Sequence, residues 1–142
     1  PEELDTDIGP IINKTAKNKL DAYIKNKSDA GFQVYQSSTK IIDQYISPTV
    51  IEINTLNDLG EEQFGPILHV LKFKSSEIDD LIKDINNTGY GLTMGIHTRI
   101  ESRADLFSQN CNIGNVYINR DIVGAVVGSY LFRFDDLSLK LF

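Results

Sequence analysis

The sequence is poor in the residues that build metal centres and disulfides. Its 142 residues hold one cysteine, Cys111, and two histidines, His69 and His97. A lone cysteine excludes an internal disulfide framework and a multi-cysteine zinc site, and two histidines this far apart supply no ligand spacing, so no metal is expected. Positive charge is short as well: 14 Lys and Arg stand against 20 Asp and Glu, a formal net charge of −6. Without a basic cluster the chain is not expected to bind nucleic acid. No apolar run approaches the roughly 18 residues of a membrane-spanning helix. Pro1 to Asp7 are acidic rather than Lys/Arg-led and apolar. Neither a signal peptide nor a span is expected, and a cytoplasmic setting fits best.

What is present suffices for a core. The composition is 41% hydrophobic and 24% charged, which excludes a disordered or collagen-like chain. Pro1–Pro10 reads as an extended, Gly/Pro-punctuated lead-in. From Asn13, the apolar residues Ala16, Leu20, Tyr23 and Ile24 recur at helical spacing, predicting a surface helix that ends before Gly31. Phe32 and Val34 suggest a strand, and Val50 to Ile53 a second one after Pro48. Ile67 to Phe73 is a mostly apolar run, expected as a strand buried on both faces of a parallel sheet.

Ile78, Leu81, Ile82 and Ile85 form a helical stripe, with Glu77, Asp79 and Asp80 at the positive end of the helix dipole. Leu92 to His97 reads as a strand. Thr98 and Glu101 have the spacing of a capping box opening a helix that ends near Asn110. Asn115 to Asn119 reads as a further strand and Val123 to Gly128 as a loop. The alternation of strand and helix from Ile67 onward predicts an α/β fold with a mostly parallel sheet and flanking helices.

Read by chemistry alone, the site candidates stay open. Cys111 is the one possible thiolate nucleophile, but no His, Lys or Arg stands near it in sequence, and a buried inert cysteine is the simpler reading. His69 lies in an apolar strand and His97 at a strand end; structural histidines fit both better than general bases. Glu61 and Glu62, where a turn feeds the strand at Ile67, suit either a site or a solvated acidic turn. Gly124 to Gly128 could bring backbone N–H groups to an anion, or form an ordinary tight loop.

Four ordered motifs then carry a resemblance. Thr6, Asp7, Ile8, Gly9, Pro10 matches T-D-x-G-P. Glu61 to Pro66 matches E-E-x-F-G-P. Asn86 with Tyr90, Gly91 and Leu92 matches N-x-x-x-Y-G-L, and Gly114 to Asn119 matches G-x-x-x-x-N. Together they resemble the aldehyde dehydrogenase superfamily. Asn119 to Gly128, with Gly91 to Thr98, is similar to the pyrroline-carboxylate (glutamate semialdehyde) dehydrogenase module of bifunctional proline utilization A proteins. The resemblance implies a partial aldehyde dehydrogenase catalytic domain from proline catabolism. It implies oxidation of glutamate semialdehyde to glutamate with NAD as acceptor, through a cysteine thiohemiacetal.

By the same resemblance, Glu62 hydrogen-bonds the nicotinamide ribose, since a carboxylate can accept from two hydroxyls. Phe64 packs beside the nicotinamide. Gly124 and Ala125 receive the substrate carboxylate on backbone N–H groups, and Phe132 falls at the family's substrate-side aromatic.

The departures shape the expectation as much. The family nucleophile lies upstream of T-D-x-G-P in a G-Q-x-C motif that this sequence does not contain, and Cys111 does not match it. The dinucleotide-binding domain and the general-base glutamate also lie upstream in the family. After Gly128 the family's F-G-G loop gives way to Arg133 and Phe134, with Leu139 further on, where side chains stand in for glycines. The sequence is therefore expected to divide into 1–128, the C-terminal portion of the catalytic domain, and 129–142, a divergent tail. As an isolated chain it is expected to be inactive and to self-associate, or to need a complementing upstream subunit, because family segments that would cover its apolar surface are missing. The alternative is a noncatalytic remnant of a split or decaying gene, with at most a binding or subunit-association role.

Overall fold

A computed structural model of the chain describes residues 8–37 and 44–122. Within them the chain divides into two compact units, the break falling between Lys72 and Phe73.

The first unit is a helix on a small sheet. Helix α1 spans Lys14–Asp29 and starts where Asn13 caps it, its Oδ1 accepting the Ala16 N–H at 2.8 Å. Strands β1 (Gln33–Gln36), β2 (Thr49–Ile53) and β3 (Ile67–Leu71) follow in that spatial order. β1 runs antiparallel to β2, and β3 parallel to it. Pairing register puts Val34, Ile51 and His69 side by side, as it does Thr49 and Ile67. This face meets α1: Leu20, Ile24, Ile11 and Ile46 form the core cluster, with Val34 and Ile67 packed against it. The chain returns from β2 to β3 through a short 3-10 turn, Leu56–Leu59, which the sequence pattern did not reveal.

The expectation that Ile67 to Phe73 is buried on both faces is corrected. β3 ends at Leu71, and among the described residues the core cluster lies on the α1 side of the sheet. The opposite side carries Tyr35 and Leu68, 57% and 59% exposed, and a Lys72–Glu52 ion pair. One helix covers one face, so an apolar run need not mean two-sided burial.

The second unit opens with a 3-10 turn, Ser75–Glu77, continuing into helix α2, Ile78–Asn87. Glu77 accepts the Lys74 N–H at 2.8 Å. Strands β4 (Thr93–Ile96) and β5 (Asn115–Ile118) pair in parallel, joined through helix α3, Glu101–Asn110. Ile78 and Ile82 of the stripe are buried with Cys111, and Ile85, Met94, Leu106, Phe107 and Ile113 pack around them.

The fold class is the α/β arrangement expected, with parallel pairing in two of the three strand pairs among the described residues, but the strands form two sheets rather than one. The Thr98–Glu101 capping box is a second correction. Ile100 occupies the N-cap of α3 with no side-chain bond, and the Thr98 hydroxyl instead accepts the Ile100 N–H at 3.1 Å. Thr98 stands too early to cap the helix, and its own N–H is held by Asn119 Oδ1 at 2.9 Å. Among the described residues no helix is long and apolar enough to cross a membrane.

Candidate functional site

The first unit presents Glu62 and Phe64 on the loop between the 3-10 turn and β3. Gly60 ends the turn at φ +67°, a backbone conformation that residues other than glycine rarely adopt. Glu62 is exposed, and the Phe64 ring is 81% exposed. Phe64 shares this exposure with other large apolar side chains among the described residues, Ile12 and Leu92 among them.

The loop's own hydrogen bonds are short-range: Gln63 Nε2 donates to Glu61 O at 2.7 Å, and Gly65 N to Gln63 O at 3.0 Å. Its exit is tied to the sheet, where Pro66 O accepts the Thr49 N–H at 2.9 Å. It is also tied to α1. A Cβ built on Gly65 would lie 2.6 Å from Leu20 Cδ1, and Leu20 is buried, so glycine is what lets the loop lie against the helix.

The loop's entry is held by groups that the sequence pattern left unassigned. Tyr23 Oη lies 3.1 Å from Leu59 O and 2.7 Å from His69 Nε2. Lys27 donates to Asp58 O and lies over the Tyr23 and Phe32 rings, 5.4 and 4.8 Å from their centroids. The Asp58 carboxylate accepts the Thr55 and Asn54 N–H groups, and these bonds, the Thr55 backbone bond foremost, hold its pKa below the ordinary value. Burial lowers the His69 pKa, with the nearby Lys27 charge adding to it, and burial raises that of Tyr23. His69 is thus a hydrogen-bonded structural histidine, and Tyr23, which the helical stripe marked only as apolar, is its partner.

In the second unit the motif residues serve the backbone. Asn86 Nδ2 donates to Asn110 O and its Oδ1 accepts the Asn112 N–H, both at 2.8 Å. Gly91 faces the Asn112 carbonyl so closely that no Cβ fits, and Gly91 O accepts the Gly114 N–H at 2.7 Å. Asn119 takes φ +54° and donates its N–H to Ile96 O at 2.8 Å, locking the ends of β4 and β5 together. His97 is exposed, beside Thr98, Arg99, Glu101 and Asp105 in a depression at the start of α3.

Cys111 is the C-cap of α3, 7% exposed, and burial raises its thiol pKa. That is the opposite of what a nucleophilic thiolate needs. Gly124, Ala125 and Phe132 lie outside the described residues, as does the tail 129–142.

Residues 1–132 match the profile of the aldehyde dehydrogenase family. The chain is similar to the bifunctional protein PutA of Klebsiella aerogenes, 38% identical over 146 residues, covering 97% of this chain and 11% of that protein. It is 31% identical over 131 residues to the 1-pyrroline-5-carboxylate dehydrogenase of Bacillus subtilis, covering 90% of this chain and 25% of that enzyme. Among solved structures, Bradyrhizobium japonicum proline utilization A superposes with a TM-score of 0.81 at 35% identity, over 89% of this chain and 13% of that one. An indole-3-acetaldehyde dehydrogenase complexed with NAD+ superposes with a TM-score of 0.72 at 27% identity, over 84% of this chain and 25% of that one. The chain therefore spans about a tenth to a quarter of the length of these relatives.

Proposed function

From the premise that this chain belongs to the aldehyde dehydrogenase family, we propose that it is the cofactor-ribose and substrate-carboxylate portion of a glutamate semialdehyde dehydrogenase. The observation that carries the reading is the loop of Glu62 and Phe64. An exposed carboxylate and an exposed aromatic ring stand two residues apart on a segment tied down at both ends. This pair of groups fits a nicotinamide nucleoside: Glu62 would accept from the ribose hydroxyls, and Phe64 would offer its face to the ring. The chemistry supplied by bound NAD is acceptance of a hydride.

Gly124 and Ala125 would receive the substrate carboxylate on backbone N–H groups, with Phe132 at the substrate's side. Turnover requires a thiolate, and Cys111 is buried with its pKa raised. We assign the nucleophile to another segment or subunit, and expect the isolated chain to form no NADH. The uncovered sheet face with Tyr35 and Leu68 supports the accompanying expectation of self-association.

The test is a chimera in which residues 8–128 replace the matching stretch of the Bacillus subtilis enzyme. NADH formation from glutamate semialdehyde should survive, and Glu62→Ala within it should raise KM for NAD. A folded chimera without activity, or one indifferent to Glu62→Ala, overturns the proposal. So does NADH formation by the isolated chain with Cys111→Ala.

A further inference from the structure

At the entry of the Glu62 loop, the Tyr23 hydroxyl lies between a backbone carbonyl and an imidazole nitrogen. The Tyr23 hydroxyl has a single hydrogen and two neighbours, Leu59 O at 3.1 Å and His69 Nε2 at 2.7 Å. A carbonyl oxygen can only accept. Both contacts are hydrogen bonds only if Tyr23 gives its proton to Leu59 and receives one from the imidazole. The opposite tautomer, in which Tyr23 donates to Nε2, leaves Leu59 O without the phenol proton.

Fixing the Leu59 carbonyl fixes the plane of the Leu59–Gly60 peptide. Only the two rotations of Gly60, at φ +67° and ψ −140°, then separate that plane from Glu61. Glycine is the residue least able to hold its own dihedrals, so the heading of the loop depends on what holds the peptide before it. Lys27, donating to Asp58 O one residue earlier, and the Asp58 carboxylate, closed on Thr55 and Asn54 N–H groups, fix the turn itself. None of these atoms belongs to the E-E-x-F-G-P motif.

We propose that Tyr23 and His69 are positioning residues for Glu62: His69 Nε2–H donates to Tyr23 Oη, and the Tyr23 hydroxyl donates to Leu59 O, setting the direction in which the Glu62–Phe64 segment leaves the turn. The relevance to ribose binding rests on the function proposed above, whereas the relay itself does not. Burial of the imidazole and the Lys27 charge both favour its neutral form, which leaves the tautomer as the point to determine.

The experiment uses the full chain, 15N-labelled, without cofactor. Imidazole nitrogen shifts of His69 at neutral pH should report the Nε2–H tautomer. Tyr23→Phe should speed amide exchange at Gly60 to Gly65 by about threefold to tenfold, the scale of one hydrogen bond, with Thr49 to Ile53 unchanged. His69→Gln, whose amide can donate near the Nε2 position, should keep the loop protected, and His69→Leu should match Tyr23→Phe.

An Nδ1–H tautomer overturns the relay, and needs no variant to fold. Unchanged loop exchange in Tyr23→Phe, or an equal rise in β2, overturns the positioning role. Glu62→Ala should alter neither reading, so a failure of the NAD assignment and a failure of the relay are told apart.

Discussion

Asn86 Oδ1 accepts the Asn112 N–H at 2.8 Å while its Nδ2 donates to Asn110 O at the same distance. One side chain at the end of α2 thereby closes the end of α3, where a helix otherwise leaves carbonyls without partners. Asn86→Ala should lower unfolding free energy by about 1–2 kcal/mol. Asn86→Asp should recover only part, because a carboxylate can accept from Asn112 but cannot donate to Asn110. Urea denaturation of the wild type and the two variants checks this; an Asn86→Asp as stable as the wild type would mean that the donated bond contributes nothing.

Gly91 is bound to the same segment by space. Its α-carbon faces the Asn112 carbonyl at a distance no Cβ can share, and a backbone oxygen cannot rotate away as a side chain can. Gly91→Ala should cost about 1–3 kcal/mol through overpacking. Gly89→Ala is the contrast: nothing surrounds its Cβ position, but its φ of +76° makes the cost conformational. A denaturation series in which Gly91→Ala is neutral would remove the packing argument.

These two residues also mark how far the sequence could be read. Asn86 and Gly91 were legible as motif letters, and the stripes of α1 and α2 as helices, because periodicity and spacing are local. Glu62 and Phe64 were legible in the same way, and both stand exposed on one loop. The Tyr23–His69 contact joins residues 46 apart, and no local pattern announces it. The antiparallel pairing of β1 with β2, and the open face of β3 behind an apolar run, are likewise set by what packs where. Thr98 misled for a related reason: its spacing to Glu101 fits a cap, but Asn119, 21 residues on, claims its N–H.

Stability should depend on pH through His69. Burial and, secondarily, Lys27 depress its folded pKa below the ordinary 6.5. The unfolded chain therefore binds more protons than the folded one between the folded value and 6.5, and stability rises with pH across that window. The contribution is fully present above 6.5 and is lost as pH falls through the folded value. Asp58 and Asp80, whose pKa values are also lowered, act only further down, as pH falls past the ordinary carboxylate value of 3.8. Urea midpoints from pH 7.5 to 4.5 should fall with acidification, and His69→Gln should flatten the upper part of that curve. A wild-type curve that is flat there contradicts a depressed His69.

Cys111 should behave as a core atom. It closes α3, packs with Ile78 and Ile82, and is 7% exposed, with burial raising its pKa. A thiol reagent at neutral pH needs both access and thiolate, and the fold withholds each. Labelling should be orders of magnitude slower than for free cysteine and should track unfolding, accelerating with urea in step with the loss of helical signal. Cys111→Ala should abolish labelling at a cost of about 1 kcal/mol or somewhat more in stability, as for removal of a small buried group. The competing picture, a poised nucleophile, predicts fast labelling of the folded chain with a midpoint near neutral pH and no dependence on mild denaturant. The two pictures differ in what controls the rate, so a single series in urea at fixed pH separates them.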